Sequence, residues 1–578
     1  MKNFRREGLF FERLQTFSFN SIPSFFTSGC VKESSQGGVI TPTGEFTVNI
    51  TVNPDQDRTP ISPYIYGANQ DVEGVKHTAR RIGGNRLTGY NWETNMSNAG
   101  SDWYHSSDYY LPWVMGIPQD QYNVPAIVLT KFHDQSLSMG AISLVTLQMA
   151  GYVAKDANGP VSEDETAPSS RWAEVKFRKG VGFSSNPDTS DNYVYIDELL
   201  NYLISKYGKA DTSTGIKGYL LDNEPDLWSS THPRIHPNKV TCNELISKSI
   251  ELAKVIKEMD PSALVFGYES YGFMGYYSLQ DAPDWNSVKG SHEWFISYYL
   301  QRMKEASDSY GKRLLDVLSL HWYPEAKSST GVRICFDGEN SIDKDTSIAI
   351  MQAPRTLWDL TYKTTTKGQI TVGENSWINQ WFPGFLPIIP KLKQAIDTYY
   401  PGTKLAITEY DYGGRNHISG GIAQVDVLGI FGKYGVYLAT RWGETGSYIS
   451  SAYNVYLNYD GKGSKYGDIS VKAETSDVEN MPVYASIHSN NQGKLHVILI
   501  NRNWDKEGIA RIKIEGNNTY TSCIIYGFDY QSPEIRKMGE LNNIQNNYFE
   551  LKVPPQTVYH NSILKIRRGI FLPSLGAD

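Results

Sequence analysis

Gly218-Tyr219-Leu220-Leu221-Asp222-Asn223-Glu224-Pro225 is a strand-like run closed by Asn-Glu-Pro, with Asp226-Leu227-Trp228 directly after it. Lys404-Leu405-Ala406-Ile407-Thr408 is closed in the same way, by Glu409. An isolated glutamate is ordinarily a solvated charge or a salt-bridge partner. One that stops an apolar run, beside a rigid proline and an aromatic ring, makes a poor surface and a reasonable cleft.

Working outward, eight such runs occur, at residues 61–67, 81–84, 142–149, 218–222, 263–267, 317–321, 405–408 and 438–441. Helical stretches lie between several of them, at 195–206, 241–259, 292–309 and 390–399. Alternating strand and crossover helix is the pattern of a closed parallel barrel. Its helices lie outside, so the carboxyl ends of all strands converge on one open face, where side chains from distant parts of the chain reach a single bound molecule. The segments between the first and third runs, and between the sixth and seventh, exceed ordinary loop length and are expected to build the cleft.

Beyond residue 470 the character changes. Short strands at 483–487, 494–501, 509–514, 522–528 and 548–553, separated by Asn, Gly and Pro turns, read as an antiparallel sandwich. The alternating run Phe46-Thr47-Val48-Asn49-Ile50-Thr51-Val52 has no other sheet to join. The expected fold class is therefore α/β, a TIM-like (β/α)8 barrel with a second, smaller antiparallel β-sandwich domain. The expected divisions are a leader and tether at 1–45, the first sandwich strand at 46–58, the catalytic barrel at 59–470, the sandwich at 471–566 and a tail at 567–578. A chain of 578 residues exceeds what one core usually supports.

Composition narrows the function. The formal charge of −7, without a long basic run, argues against a nucleic-acid partner and favours neutral substrates. The 39 Tyr, 21 Phe and 13 Trp suit flat hydroxylated ligands such as sugars, although most rings will be core. Cys30, Cys242, Cys335 and Cys523 are scattered singly, with neither zinc-site nor disulfide-framework spacing, and the inner three read as buried thiols. No apolar run is long enough to span a membrane. A Gly-x-Ser-x-Gly elbow, a Walker loop, a Rossmann fingerprint and a His-Glu-x-x-His zinc motif are all missing from the sequence.

Hydrolysis of a glycosidic bond needs one protonated carboxyl to donate to the leaving oxygen and one ionised carboxylate to attack or screen the anomeric carbon. Glu224 and Glu409 are the candidate pair. Asn223 carries an amide able to bind a sugar hydroxyl next to that bond. Arg81 and His321 are candidates to hold Glu409 ionised. His321-Trp322-Tyr323-Pro324 ends the sixth run and Trp442 the eighth, so these groups define one face with the two glutamates.

Arg81-Ile82-Gly83-Gly84-Asn85-Arg86, Tyr90-Asn91-Trp92-Glu93, Ser97 through Trp103, Asp222-Asn223-Glu224-Pro225, Gly373-Glu374-Asn375-Ser376-Trp377 and Thr408 through Gly414 together resemble glycoside hydrolase family 44. The resemblance covers about residues 46–566. It implies an endo-acting β-1,4-glucanase, active on cellulose-like glucans and often on xyloglucan, working with retention, with Glu224 as acid/base and Glu409 as nucleophile. It further implies that Trp92, Trp103, Trp377, Trp381 and Trp442 offer rings to glucosyl units, with core packing as the alternative for each. No cofactor is required; family members can carry structural calcium, and the residues here assign it no ligands. A mannanase or xylanase on a related barrel, and a glycan-binding surface protein without turnover, are the competing readings.

Residues 1–45 lie outside the resemblance. A basic start, Met1 to Arg6, and small residues leading up to Cys30 resemble a bacterial lipoprotein leader, although Glu7, Glu12 and Arg13 interrupt its apolar core. Lipid attachment at Cys30, a degenerate secretion leader and a mis-assigned start remain alternatives. A secreted or cell-surface protein, acting as a monomer on a polysaccharide, is expected.

Overall fold

The structure is a computed structural model, and it describes residues 40–336, 343–366, 369–443, 446–490 and 493–565. Cys30 and the leader lie outside the described residues.

Eight parallel strands close a barrel: Gly67–Ala68, Ala79–Ile82, Ile142–Leu147, Gly218–Leu221, Leu264–Ser270, Val317–Trp322, Lys404–Tyr410 and Leu438–Arg441, the last pairing with the first. Ala79, Leu144, Leu220, Phe266, Val317, Ala406 and Leu438, one from each of seven strands, form an apolar cluster of their own. It is separate from the larger core between strands and helices. Such a layer fills a barrel interior and makes it a packed core rather than a pore.

The helices are specified locally. In Cys242–Met259 the Thr241 side chain accepts from Glu244 N–H at 3.0 Å, which caps the first turn. Leu245, Ile246, Ser249, Leu252, Ala253 and Ile256 then fall on one buried stripe at helical spacing. Each large aliphatic on that stripe contributes about 1.5–3 kcal/mol by burial. Asp260-Pro261 stops the helix.

The first barrel strand differs from the expected 61–67. Pro63–Tyr66 forms a single 3-10 turn, with Pro63 at its first position and the Ser62 hydroxyl accepting from Tyr64 N–H. Only Gly67–Ala68 pairs. A Cβ on Gly67 would lie 2.6 Å from the Ala439 carbonyl oxygen and 2.8 Å from that of Ala79, so glycine lets three strands meet at the closing seam.

The second domain is a sheet of ten strands over its own core of Val48, Ile50, Val497, Leu499, Ile512, Leu551 and their neighbours. Gly44–Asn53 is an interior strand, antiparallel to Ile469–Thr475 and parallel to Lys506–Ile514. Four strands absent from the sequence reading complete it: Thr59–Pro60, Ile469–Thr475, Ser532–Leu541 and Thr557–Lys565. Ser532–Leu541 escapes notice because it is a half-exposed edge, Ser-Pro-Glu-Ile-Arg-Lys-Met-Gly-Glu-Leu, whose charges suit an unpaired side rather than a core.

Barrel and sheet meet across the helix Ile418–Lys433, buried from Ile418 to Gly432. Its Asp426 pairs with Arg502 Nη1 at 2.6 Å and accepts from Tyr484 Oη at 2.5 Å, both from the sheet. His560 Nδ1 bonds the Val455 carbonyl of the last barrel helix at 2.7 Å. Cys242, Cys335 and Cys523 are buried free thiols. Among the described residues no helix is long and apolar enough to cross a membrane.

Candidate active site

Glu224 leaves the strand Gly218–Leu221 on a backbone bent into the left-handed region, with φ of 63° at Asp222 and 42° at Glu224. Such conformations cost energy and persist only where the surroundings hold them. Here Asp222 is the anchor. Its carboxylate accepts from Thr88 Oγ1 at 2.6 Å, Ala150 N–H at 2.9 Å and Asn223 N–H at 2.8 Å. Glu224 N–H is taken by the Glu269 carbonyl at 3.0 Å, and Trp228 Nε1 by the Asn223 carbonyl at 3.1 Å.

Glu409 stands near the end of Lys404–Tyr410, directly beside His321 in the ladder, where the register of Val317–Trp322 shifts by one residue after Leu320. Irregularities of this kind re-aim side chains at a barrel rim. Arg81 Nη1 reaches Glu409 Oε1 at 2.7 Å and Tyr323 Oη donates to Oε2 at 2.8 Å. His321 Nδ1 lies 2.8 Å from Glu224 Oε1 and 3.5 Å from Glu409 Oε2. A carboxylate oxygen of Glu224, one of Glu409 and a ring nitrogen of His321 all fall within 4.8 Å of one another.

A third carboxylate was not anticipated. Glu269, fully buried, sits at a register shift in Leu264–Ser270 with φ of 58°. Its Oε2 takes Arg81 at 3.2 Å, Thr408 Oγ1 at 2.9 Å and His321 Nε2 at 3.4 Å. The strand, expected to end at 267, continues three residues further to Ser270, and that extension brings Glu269 to the same rim.

These contacts set the charges. Burial lifts the Glu224 carboxyl above its ordinary range and the Glu409 charge adds to that, while His321 and Arg81 oppose it. Burial acts to discharge His321, but Glu409, Glu224 and Glu269 outweigh it and hold the imidazolium at about 10. Burial would raise Glu269 too, yet Arg81 and His321 keep it below the ordinary carboxylate range. Two cations thus face three carboxyls, and one proton on Glu224 makes the set neutral.

A sequence model of glycoside hydrolase family 44 matches residues 96–326. The β-mannanase/endoglucanase A of Caldicellulosiruptor saccharolyticus is 69% identical over 507 residues, 88% of this chain and 38% of that protein. Endoglucanase A of Paenibacillus lautus is 53% identical over 516 residues, 89% of this chain and 72% of that protein. The chain belongs to glycoside hydrolase family 44. Its fold agrees: the family 44 xyloglucanase of Paenibacillus polymyxa, solved with xyloglucan, superposes with a TM-score of 0.86 at 52% identity, over 90% of this chain and 100% of that one. The chain spans less than half of the first relative and about three quarters of the second.

Within this family 44 chain the structure brings Glu224, Glu409, Asn223, Arg81, His321 and Tyr323 together, and it divides the tryptophans. Trp92 is 0% exposed, and its Nε1 donates to the Tyr195 carbonyl at 3.2 Å, so it is a packing residue and presents no face to a sugar. Trp103 and Trp381 are 56% and 58% exposed, on connections that leave the carboxyl ends of barrel strands. Trp377 is half-buried, edge-on to Phe273 and Phe382. Trp442 is half-buried over Gly84, where a Cβ would stand 2.5 Å from its ring. Gly83 gives the Arg81 guanidinium similar clearance, so the glycine pair lets backbone pass close to two functional side chains. Calcium does not suit the one carboxylate-and-imidazole group close enough to share an ion among the described residues. That group is Glu224, His321 and Glu409, which already pairs internally and holds a nitrogen where calcium takes oxygens.

Proposed function

We propose that the chain is an endo-acting hydrolase of β-1,4-linked glucans, xyloglucan among them, that works with retention through Glu224 as acid/base and Glu409 as nucleophile. The observation that carries this is the placement of the two carboxylates. Retaining enzymes hold them about 5 Å apart, whereas inverting ones leave roughly 6.5–9.5 Å for a water between them. Oxygens within 4.8 Å fit the first arrangement.

In the first step Glu224 gives its proton to the glycosidic oxygen while a Glu409 oxygen bonds the anomeric carbon, and the leaving chain departs as an alcohol. In the second, Glu224, now a carboxylate, takes a proton from water, whose oxygen displaces Glu409 from that carbon. Arg81 and Tyr323 hold one oxygen each of Glu409 and keep it aimed before attack. Asn223 binds a hydroxyl of the sugar being cut. Trp103, Trp377, Trp381 and Trp442 supply faces for further glucosyl units.

The glucan reading follows the relatives' names; a mannan reading rests on one name, over 38% of that protein. A secreted or surface-held monomer suits a polymeric substrate. The test is a panel of xyloglucan, carboxymethylcellulose, xylan and mannan with chain-length analysis, and NMR of the first-formed anomer. Mixed oligosaccharides from the first two polymers, born as β-anomers, are expected; an α-anomer at early times, or cleavage of mannan alone, would overturn the reading.

A further inference from the structure

Asp102 has no part in the mechanism above, yet it sits at the end of a chain of hydrogen bonds that begins inside the site. Its turn, Gly100–Trp103, is set against the segment that follows Glu224. A Cβ on Gly100, whose φ is +57°, would stand 2.2 Å from the Thr231 carbonyl oxygen and 2.8 Å from the His232 ring. Only glycine permits that approach. Asn98 Oδ1 accepts from Gly100 N–H at 2.9 Å, and His105 N–H closes onto the Gly100 carbonyl at 2.8 Å. The carboxylate is therefore carried on a fixed support.

Asn85 Nδ2 stands 3.0 Å from Asp102 Oδ1 and 3.1 Å from Oδ2. Asn85 Oδ1 accepts from Asn223 Nδ2 at 3.3 Å. Asn223 Oδ1 in turn accepts from Arg81 Nη2 at 2.8 Å and Gly84 N–H at 3.2 Å. A guanidinium and a backbone N–H only donate, whereas a carboxylate accepts; an amide offers a donor at one end and an acceptor at the other. With Arg81 at one end and Asp102 at the other, each intervening amide has one orientation in which every contact is donor to acceptor. Without Asp102 the Asn85 amide loses the acceptor that its Nδ2 faces, and with it one of the contacts that hold its Oδ1 towards Asn223 Nδ2. Burial and the nearby Glu224 push the Asp102 carboxyl up to about 7 against the pull of Asn85, and either protonation state leaves an acceptor oxygen towards Asn85.

We propose that Asp102 is a positioning residue: through Asn85 it holds the Asn223 amide so that one N–H meets Asn85 and the other is presented to the sugar being cut. This rests on Asn223 being a substrate-binding residue. Because that bond strengthens as the anomeric centre gains positive charge, its loss falls on kcat rather than KM.

The test is a double-mutant cycle in the full chain, with Asp102→Ala, Asn223→Ala and the pair, read on an aryl β-cellotrioside. Asp102→Ala is expected to lower kcat roughly tenfold with KM within about twofold. The double variant is expected to be no slower than Asn223→Ala, as coupled residues behave. Asp102→Asn, which keeps an acceptor oxygen in the same place, is expected to recover most of the lost rate. An Asn223→Ala enzyme as fast as wild type overturns the role of Asn223 and this relay with it. A slow Asn223→Ala with a double variant that loses the product of both single effects overturns the relay alone. Should Asp102→Ala not fold, the same cycle with Asn85→Ala carries the same two outcomes.

Discussion

His321 Nδ1 lies 2.8 Å from Glu224 Oε1, on a ring whose other nitrogen faces Glu269. The imidazolium therefore stands between the proposed acid and a permanently buried anion. It lowers the Glu224 pKa against burial, so its removal lets Glu224 keep its proton to higher pH. In His321→Gln the alkaline limb of kcat/KM should move to higher pH, with kcat reduced by roughly tenfold, about 1.4 kcal/mol of barrel-rim positioning. A limb that moves down, or stays in place, contradicts the assignment of the acid.

Glu224→Gln should lose about two to four orders of magnitude on unactivated glucan, the range general acids supply. It should lose far less on an aryl glycoside whose leaving group needs no proton. Glu409→Gln should be inactive on both. Turnover measurements on the two substrate types check this; equal losses in Glu224→Gln would remove its role as acid.

Gly84→Ala puts a methyl group where the Trp442 ring now stands, at a backbone φ of +84° that alanine resists. Displacement of that ring is expected to raise KM for long oligosaccharides several-fold more than for short ones. Unchanged KM across chain lengths would show that Trp442 holds no sugar.

Arg502→Ala strands Asp426 in the buried interface between barrel and sheet, where both side chains are almost fully covered. Breaking one side of such a pair costs about 3–5 kcal/mol. Thermal melting should show a clear drop in Tm, while kcat of the folded fraction stays near wild type. A variant that melts like wild type would mean that Tyr484 alone satisfies Asp426.

The glutamate pair was legible because each carboxylate ends an apolar run, and a barrel sends all run ends to one face. Runs at Gly218–Leu221, Lys404–Tyr410 and Leu438–Arg441 were long and apolar enough to be seen. Gly67–Ala68 was not, because a two-residue strand beside a proline turn carries no period. Glu269 hid behind a register shift, which breaks the alternation that would have marked it. Trp92 and Trp442 are the same residue type, and only packing separates the buried ring from the half-exposed one. The relay from Arg81 to Asp102 joins a strand end, two short helical turns and the segment after Gly218–Leu221, and no local pattern encodes it.

The strand Gly44–Asn53 lies inside the second sheet, with Ile469–Thr475 on one side and Lys506–Ile514 on the other. Thr43, next to it, bonds the carbonyl of Asp505, 462 residues away. As the polypeptide emerges from the ribosome this segment must wait, unpaired, until nearly everything else has been made. Excising residues 471–565 as a unit would leave out this interior strand and expose two raw edges, so the C-terminal module is one that cannot be borrowed without the ten residues Gly44–Asn53.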